Sequence, residues 1–182
     1  MLKLARTNLE AHYYMARQPC TCGAVGFTSA GLHSAVATVG DDLISRYTGA
    51  CAGCGAPRQF EFQLPETVLP PPRRGVRFGG DEPSQLFDPG EWMALADEHA
   101  RAVPADGGAD SEAGARALSI AAAAVDEVLK FVPASADACP ADAFASPRGR
   151  AVYDAEPGRF RRARLEAMRG ALTPRGDAVP AD

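Results

Sequence analysis

The sequence predicts an α+β chain in which an N-terminal helix and a small three-stranded β-rich module precede a helical C-terminal region. Three observations predict it. Short β-prone runs with period-two alternation occur only before residue 65, a proline cluster follows them, and long runs with helical periodicity occupy the second half. At 182 residues and 46% hydrophobic composition, the chain can bury one moderate core or two small ones, and the break in patterning favours two.

The first helix is expected over residues 3–17, with Leu4, Leu9, Tyr13 and Ala16 as its apolar stripe and Pro19 as its stop. Ser34–Val39 and Leu43–Thr48 are β-prone runs separated by the turn formers Gly40-Asp41-Asp42, which makes them a hairpin candidate. In Arg58-Gln59-Phe60-Glu61-Phe62-Gln63-Leu64, polar and apolar residues alternate, so Phe60, Phe62 and Leu64 share one face of a third strand. Pro65 and Pro70-Pro71-Pro72 end the sheet, since proline lacks the ladder donor. The basic, glycine-bearing loop 73–80 follows, with no P-loop lysine after it.

Asp88-Pro89-Gly90-Glu91 is a helix start with capping-box spacing and proline in the first turn. The helix is expected to run to about Val103 with Trp92, Leu95, Ala96, His99 and Val103 on one stripe, broken by Pro104 and Gly107-Gly108. A second helix is expected from about Asp110 to Phe131, with Leu118, Ala121, Val125 and Leu129 beside Ile120, Ala124, Val128 and Phe131. Residues 133–147 read as a linker or loosely packed loop, and a last helix from about Pro157 carries Phe160, Leu165, Met168 and Leu172. The expected organisation is therefore 1–68 as helix plus β module, 69–87 as connector, 88–175 as helical region and 176–182 as a disordered tail.

Four of the five cysteines bracket the hairpin: Cys20-x-Cys22, then twenty-eight residues, then Cys51-x-x-Cys54, each pair followed by glycine (Gly23, Gly55). No apolar signal run opens the chain and no membrane-length apolar run occurs, so a cytoplasmic location with no membrane partner is expected. In that reducing compartment, close cysteine pairs are metal ligands or redox groups. Two pairs held by turns supply the tetrahedron of sulfurs that zinc prefers, and the glycines let backbone N–H groups approach the thiolates. Residues 19–64 resemble a four-cysteine zinc ribbon: a cysteine turn, two strands, a second cysteine turn and a third strand. The resemblance implies one structural zinc held by Cys20, Cys22, Cys51 and Cys54. Such ribbons usually have two residues between the first cysteines, where this chain has Thr21 alone, so His12 and His33 are alternative ligands. A redox pair and unligated thiols are the other readings of the pattern. Cys139 stands alone and reads as incidental.

Four thiolates would close the metal's coordination, whereas a catalytic zinc keeps an open position. His99 reads as a core residue on its stripe. The acidic cluster Asp81, Glu82, Asp88 and Glu91 is partly explained by capping, and no nucleophile elbow, metalloprotease or dinucleotide motif is present. No enzyme is therefore expected, and an enzyme of unrecognised type ranks third. Net charge runs +3 over residues 1–80, −10 over 81–147 and +5 over 148–175. An acidic middle facing basic ends is the plain explanation. The run Arg159-Phe160-Arg161-Arg162-Ala163-Arg164 is the alternative signal, a nucleic-acid-binding helix through Arg159, Arg161, Arg162 and Arg164. The first expectation is a non-catalytic zinc-binding interaction or adaptor protein whose partner is another protein. The excess of arginine over lysine, 17 to 2, is what a GC-rich bacterial genome produces, and by analogy an immunity or accessory protein fits the size and acidity.

Overall fold

In the computed structural model, residues 2–26, 32–72, 75–103 and 111–173 are described. The expected tail at 176–182, the helix break at Pro104 and Gly107-Gly108, and Arg73-Arg74 of the basic loop lie outside them. The described residues form an N-terminal helix, a three-stranded antiparallel sheet and then helices, an α+β chain as expected. It divides into two compact units, Met1–Leu69 with Ser84–Leu86, and Pro70–Pro83 with Phe87–Asp182. The expected connector 69–87 thus contributes residues to both.

In the first unit, helix α1 (Asn8–Arg17) starts five residues later than the apolar periodicity suggests. Thr7 is its N-cap, accepting from the Glu10 N–H at 3.1 Å, and Thr7-x-x-Glu10 is a capping-box spacing that the periodicity obscured. Residues 3–5 are extended and join the sheet through Gln63 N–H to Lys3 O at 3.0 Å and Ala5 N–H to Gln63 O at 3.1 Å. With the helix so placed, its buried residues are Glu10, Ala11 and Met15, and Ala16 of the expected stripe is exposed. Glu10 is wholly buried. Its carboxylate accepts from the Arg6 guanidinium at 2.7 Å, from the Arg6 N–H at 2.8 Å and from the Ser84 hydroxyl at 2.6 Å. Full hydrogen bonding is what allows a charge to remain in so dry a place.

Strands β1 (His33–Val39), β2 (Asp42–Ala50) and β3 (Pro57–Gln63) lie in the order β1-β2-β3. Gly40 takes φ +62° at the hairpin turn, a conformation closed to most side chains. Register sets Val36 opposite Ser45 and Tyr47 opposite Phe60. Phe62 is buried, meeting Tyr47 at 6.0 Å and Tyr14 of α1 at 5.8 Å between ring centroids. The Tyr47 hydroxyl donates to Asn8 Oδ1 and ties β2 to the start of α1.

In the second unit, α2 (Pro89–Arg101) has the expected capping box at Asp88 and Glu91, and Trp92, Leu95 and Ala96 of the expected stripe are buried. Trp92 is wholly enclosed, with Phe78 at 4.7 Å and Phe87 at 4.6 Å. Helix α3 (Glu112–Leu129) is capped by Ser111 and buries Ile120, Ala121, Ala124, Val125 and Val128, five members of the two expected rows. The stretch 133–147 is not loose: Cys139 and Phe144 are buried, and Cys139 N–H donates to Phe160 O at 3.0 Å. An unforeseen helix, α4 (Pro147–Ala155), follows it, capped by Ser146. A 3-10 turn over Pro157–Phe160 precedes the last helix, α5 (Arg162–Leu172), which buries Leu165. Phe144 meets Tyr153 of α4 at 4.3 Å and Phe160 at 4.7 Å. Among the described residues, no helix is long and apolar enough to cross a membrane.

Candidate metal centre

Two turns carry the four cysteines, one between α1 and β1 and one between β2 and β3. In the first, the Cys20 N–H donates to Ala24 O at 2.8 Å and the Gly23 N–H returns to Cys20 O at 2.8 Å. In the second, the Cys51 N–H donates to Ala56 O at 2.8 Å and the Gly55 N–H returns to Cys51 O at 2.9 Å. The same pair of bonds closes both turns, although the first is one residue shorter. Each glycine sits at positive φ, +84° at Gly23 and +71° at Gly55, which reverses the chain tightly enough to bring both sulfurs of a pair to one side. The single residue between Cys20 and Cys22 is thus accommodated by removing one residue from the turn without changing its closure.

The sulfurs of Cys20, Cys22, Cys51 and Cys54 all lie within 4.8 Å of one another. Between the turns, Cys20 Sγ is 3.8 Å from Cys54 Sγ, and Cys22 Sγ is 3.7 Å from Cys51 Sγ. A tetrahedron with metal–sulfur bonds of about 2.3 Å has edges of roughly 3.8 Å, so these sulfurs fit a tetrahedral ion with little movement. The fit extends to the donor chemistry. The Cys22 N–H holds the Cys20 thiol well below its ordinary value, at about 6. The N–H groups of Cys54 and Gly53 lower Cys51, and Gly53 N lies 3.4 Å from Cys51 Sγ. The Ala56 N–H pulls Cys54 down, but Cys22, Cys51, burial and Cys20 together outweigh it and push Cys54 up to about 11. Some sulfurs are prepared as thiolates while their crowding resists the last negative charge. A bound cation removes that conflict.

Four residues that spacing arguments passed over complete the site: Gly53, Arg58, Ala24 and Ala56. Gly53 lies where the two turns touch, and a Cβ there would be 2.7 Å from the Ala24 Cβ. Arg58, on β3, donates to Gly26 O at 3.3 Å and lies over the Phe60 ring at 4.9 Å, bracing the first turn against the sheet. The repeated Cys-Gly-Ala ending of both turns, visible in the sequence, is the signal that would have pointed to Ala24 and Ala56 as the closing acceptors.

The alternative ligands are not in the cluster. His12 is edge-on to Tyr47 at 5.5 Å between ring centroids, and His33 is an exposed residue of β1. Cys139 is 5% exposed, its thiol faces Val128 O at 3.6 Å, and burial pushes it up to about 12, the environment of an inert thiol. Among the carboxylates, Asp88 and Glu91 cap α2, while Asp81 and Glu82 are exposed. The four cysteines are the one group of potential metal ligands among the described residues.

The arginines of the C-terminal run are largely engaged. Arg159 forms a two-pronged pair with Asp97 at 2.6 and 2.9 Å. The Arg162 guanidinium donates to Val132 O at 3.2 Å and Pro133 O at 2.8 Å, in the segment that follows α3. Arg164 pairs with Glu156 at 2.7 Å and Arg169 with Asp126 at 3.3 Å, leaving Arg161 exposed. Two of these acids, Asp97 and Asp126, belong to the acidic middle segment.

Comparison with protein-family models, with curated proteins and with solved structures finds no match to this chain.

Proposed function

We propose that Cys20, Cys22, Cys51 and Cys54 hold one structural zinc ion and that the chain is a non-catalytic interaction protein whose first unit is folded by that metal. The observation carrying this reading is the convergence of four sulfurs from two glycine-closed turns. Zinc bound by four thiolates has no open position for substrate or activated water, so its contribution is folding free energy. The unit has need of it, since its strand β1 buries no residue fully and its core rests on a few side chains such as Met15, Ile44, Tyr47 and Phe62. A rigid metal-pinned sheet suits protein recognition, and the internal pairing of Arg159, Arg162, Arg164 and Arg169 speaks against a phosphate-binding helix.

The test joins metal to partner. Purified protein is expected to carry about one zinc per chain, and chelation is expected to abolish hydrogen-exchange protection in residues 33–63 while Trp92 fluorescence keeps its folded signal. Co-expression with the products of neighbouring genes is expected to yield a stoichiometric complex that Cys54→Ser disrupts. A chain whose first unit keeps its protection without metal, or which turns over a substrate at the zinc, contradicts the proposal.

A further inference from the structure

The four cysteines of the metal centre differ in what can reach them. Cys54 is exposed and Cys20 half-buried, and their sulfurs lie 3.8 Å apart in a contact open to solvent. Cys22 is also exposed, but the sulfur 3.7 Å from it belongs to Cys51, which is 3% exposed. Each turn is closed by its own backbone hydrogen bonds and presents its sulfurs to the other turn, so these contacts run across the turns. A bond within the first turn would instead bridge cysteines separated by Thr21 alone, which the fixed torsion of a disulfide tolerates only with strain. Cys139, the fifth cysteine, is buried and outside the cluster.

We propose that Cys20 and Cys54 are a redox-sensitive pair within the metal site: hydrogen peroxide joins them by a disulfide across the two turns, which removes two of the four zinc ligands and releases the ion. The release rests on the zinc reading above, whereas the pairing rests on the exposure and contacts of the sulfurs alone. In the first step the Cys54 thiolate, the more open of the two, attacks one peroxide oxygen. An S–O bond forms, the O–O bond breaks, and the departing hydroxide takes a proton to become water. The Cys20 thiolate then attacks the Cys54 sulfur, the S–S bond forms, the S–O bond breaks, and a second hydroxide leaves as water. Two thiolates, one peroxide and two protons thus give one disulfide and two waters, with two electrons passing from the sulfurs to the peroxide. The sulfurs close by about 2 Å to reach a bond of about 2.05 Å. Cys22 and Cys51 remain as thiols, too few to complete a tetrahedral site. A dithiol reductant reverses the bond and restores all four ligands.

The full chain, with its metal content measured first, is treated with rising amounts of hydrogen peroxide while a chromogenic indicator reports free zinc against a peroxide-free control. Remaining thiols are then alkylated, and disulfides are located by peptide mass spectrometry without reduction. About one zinc per chain is expected to be released in step with a Cys20–Cys54 bond. Cys22 and Cys51 are expected as alkylated thiols, Cys139 as a thiol that alkylates only on unfolding, and dithiothreitol with added zinc should restore the metal content. A first disulfide that joins Cys20 to Cys22, Cys51 to Cys54, or Cys22 to Cys51 overturns the proposal. So does retention of zinc and of all four thiols in excess peroxide. Protein free of metal before peroxide is added would contradict the zinc reading, and its disulfide map would still decide the pairing.

Discussion

Gly149 of α4 lies against the carboxylate of Asp88, the N-cap of α2, so closely that a Cβ at residue 149 would overlap it. Asp88 accepts from Glu91 N–H at 2.9 Å through one oxygen and from Ser146 N–H at 2.8 Å through the other, so one side chain serves the starts of two helices. At Gly90 an added Cβ would be 2.6 Å from the Gly149 Cα, so the two backbones touch. Gly149→Ala and Gly90→Ala are each expected to cost about 1–3 kcal/mol, since neither neighbour is a flexible side-chain end that can swing aside cheaply. Gly170→Ala in α5, where a Cβ meets nothing within 4 Å, is expected to stabilise by roughly 0.5–1 kcal/mol. Urea unfolding followed by Trp92 fluorescence compares them, and equal effects at Gly149 and Gly170 would contradict the packing described.

Removing one partner of the buried Arg6–Glu10 pair strands the other. Arg6→Ala is expected to destabilise the first unit by roughly 3–5 kcal/mol, and Ser84→Ala, which removes a single donor to Glu10, by about 1–3 kcal/mol. Thermal unfolding of the zinc-loaded protein measures both. Near-neutral Arg6→Ala would show that Glu10 is not held as a buried carboxylate.

Cys139 should resist alkylation in the folded protein and react only on unfolding, since its thiol is buried and stays protonated to about 12. The same shift has a pH consequence. The unfolded thiol ionises near 9, so between about 9 and 12 the folded state holds a proton that the unfolded state has lost. Its contribution to stability is therefore intact below pH 9 and is lost as the pH rises toward 12. Cys139→Ala is expected to flatten that alkaline decline, and an unchanged decline would assign it to other groups.

Duplex DNA and single-stranded RNA are expected to bind negligibly at physiological salt, because Arg159, Arg162, Arg164 and Arg169 have intramolecular partners. A titration at two salt concentrations, with Arg161, Arg162 and Arg164 changed to Ala, decides it. Micromolar binding that weakens with salt and vanishes in the variant would restore the nucleic-acid reading.

Much of this was legible in particular residues. The Asp88-Pro89-Gly90-Glu91 start, the period-two run through Phe60 and Phe62, and the paired cysteines each carry a local physical cause that outlasts tertiary context. α4 was missed although Ser146-Pro147 repeats the cap-then-proline signal of Asp88-Pro89, because the run 133–147, rich in Ala, Asp and Pro, masked it. The late start of α1 was missed because Leu4 fits a helical stripe, while its pairing with Gln63 is a contact fifty-nine residues away in the chain. No local pattern can report that. The engagement of Arg162 with the carbonyls of Val132 and Pro133 and of Arg159 with Asp97 is equally non-local, so the charge distribution suggested the pairing without identifying the partners.

X-ray absorption at the zinc edge of the purified protein tests the metal assignment most directly. Four sulfur neighbours at about 2.3 Å, with close to one zinc per chain, are expected from the sulfurs of Cys20, Cys22, Cys51 and Cys54. A shell containing nitrogen or oxygen, iron in place of zinc, or protein that is folded in its first unit and free of metal would contradict it.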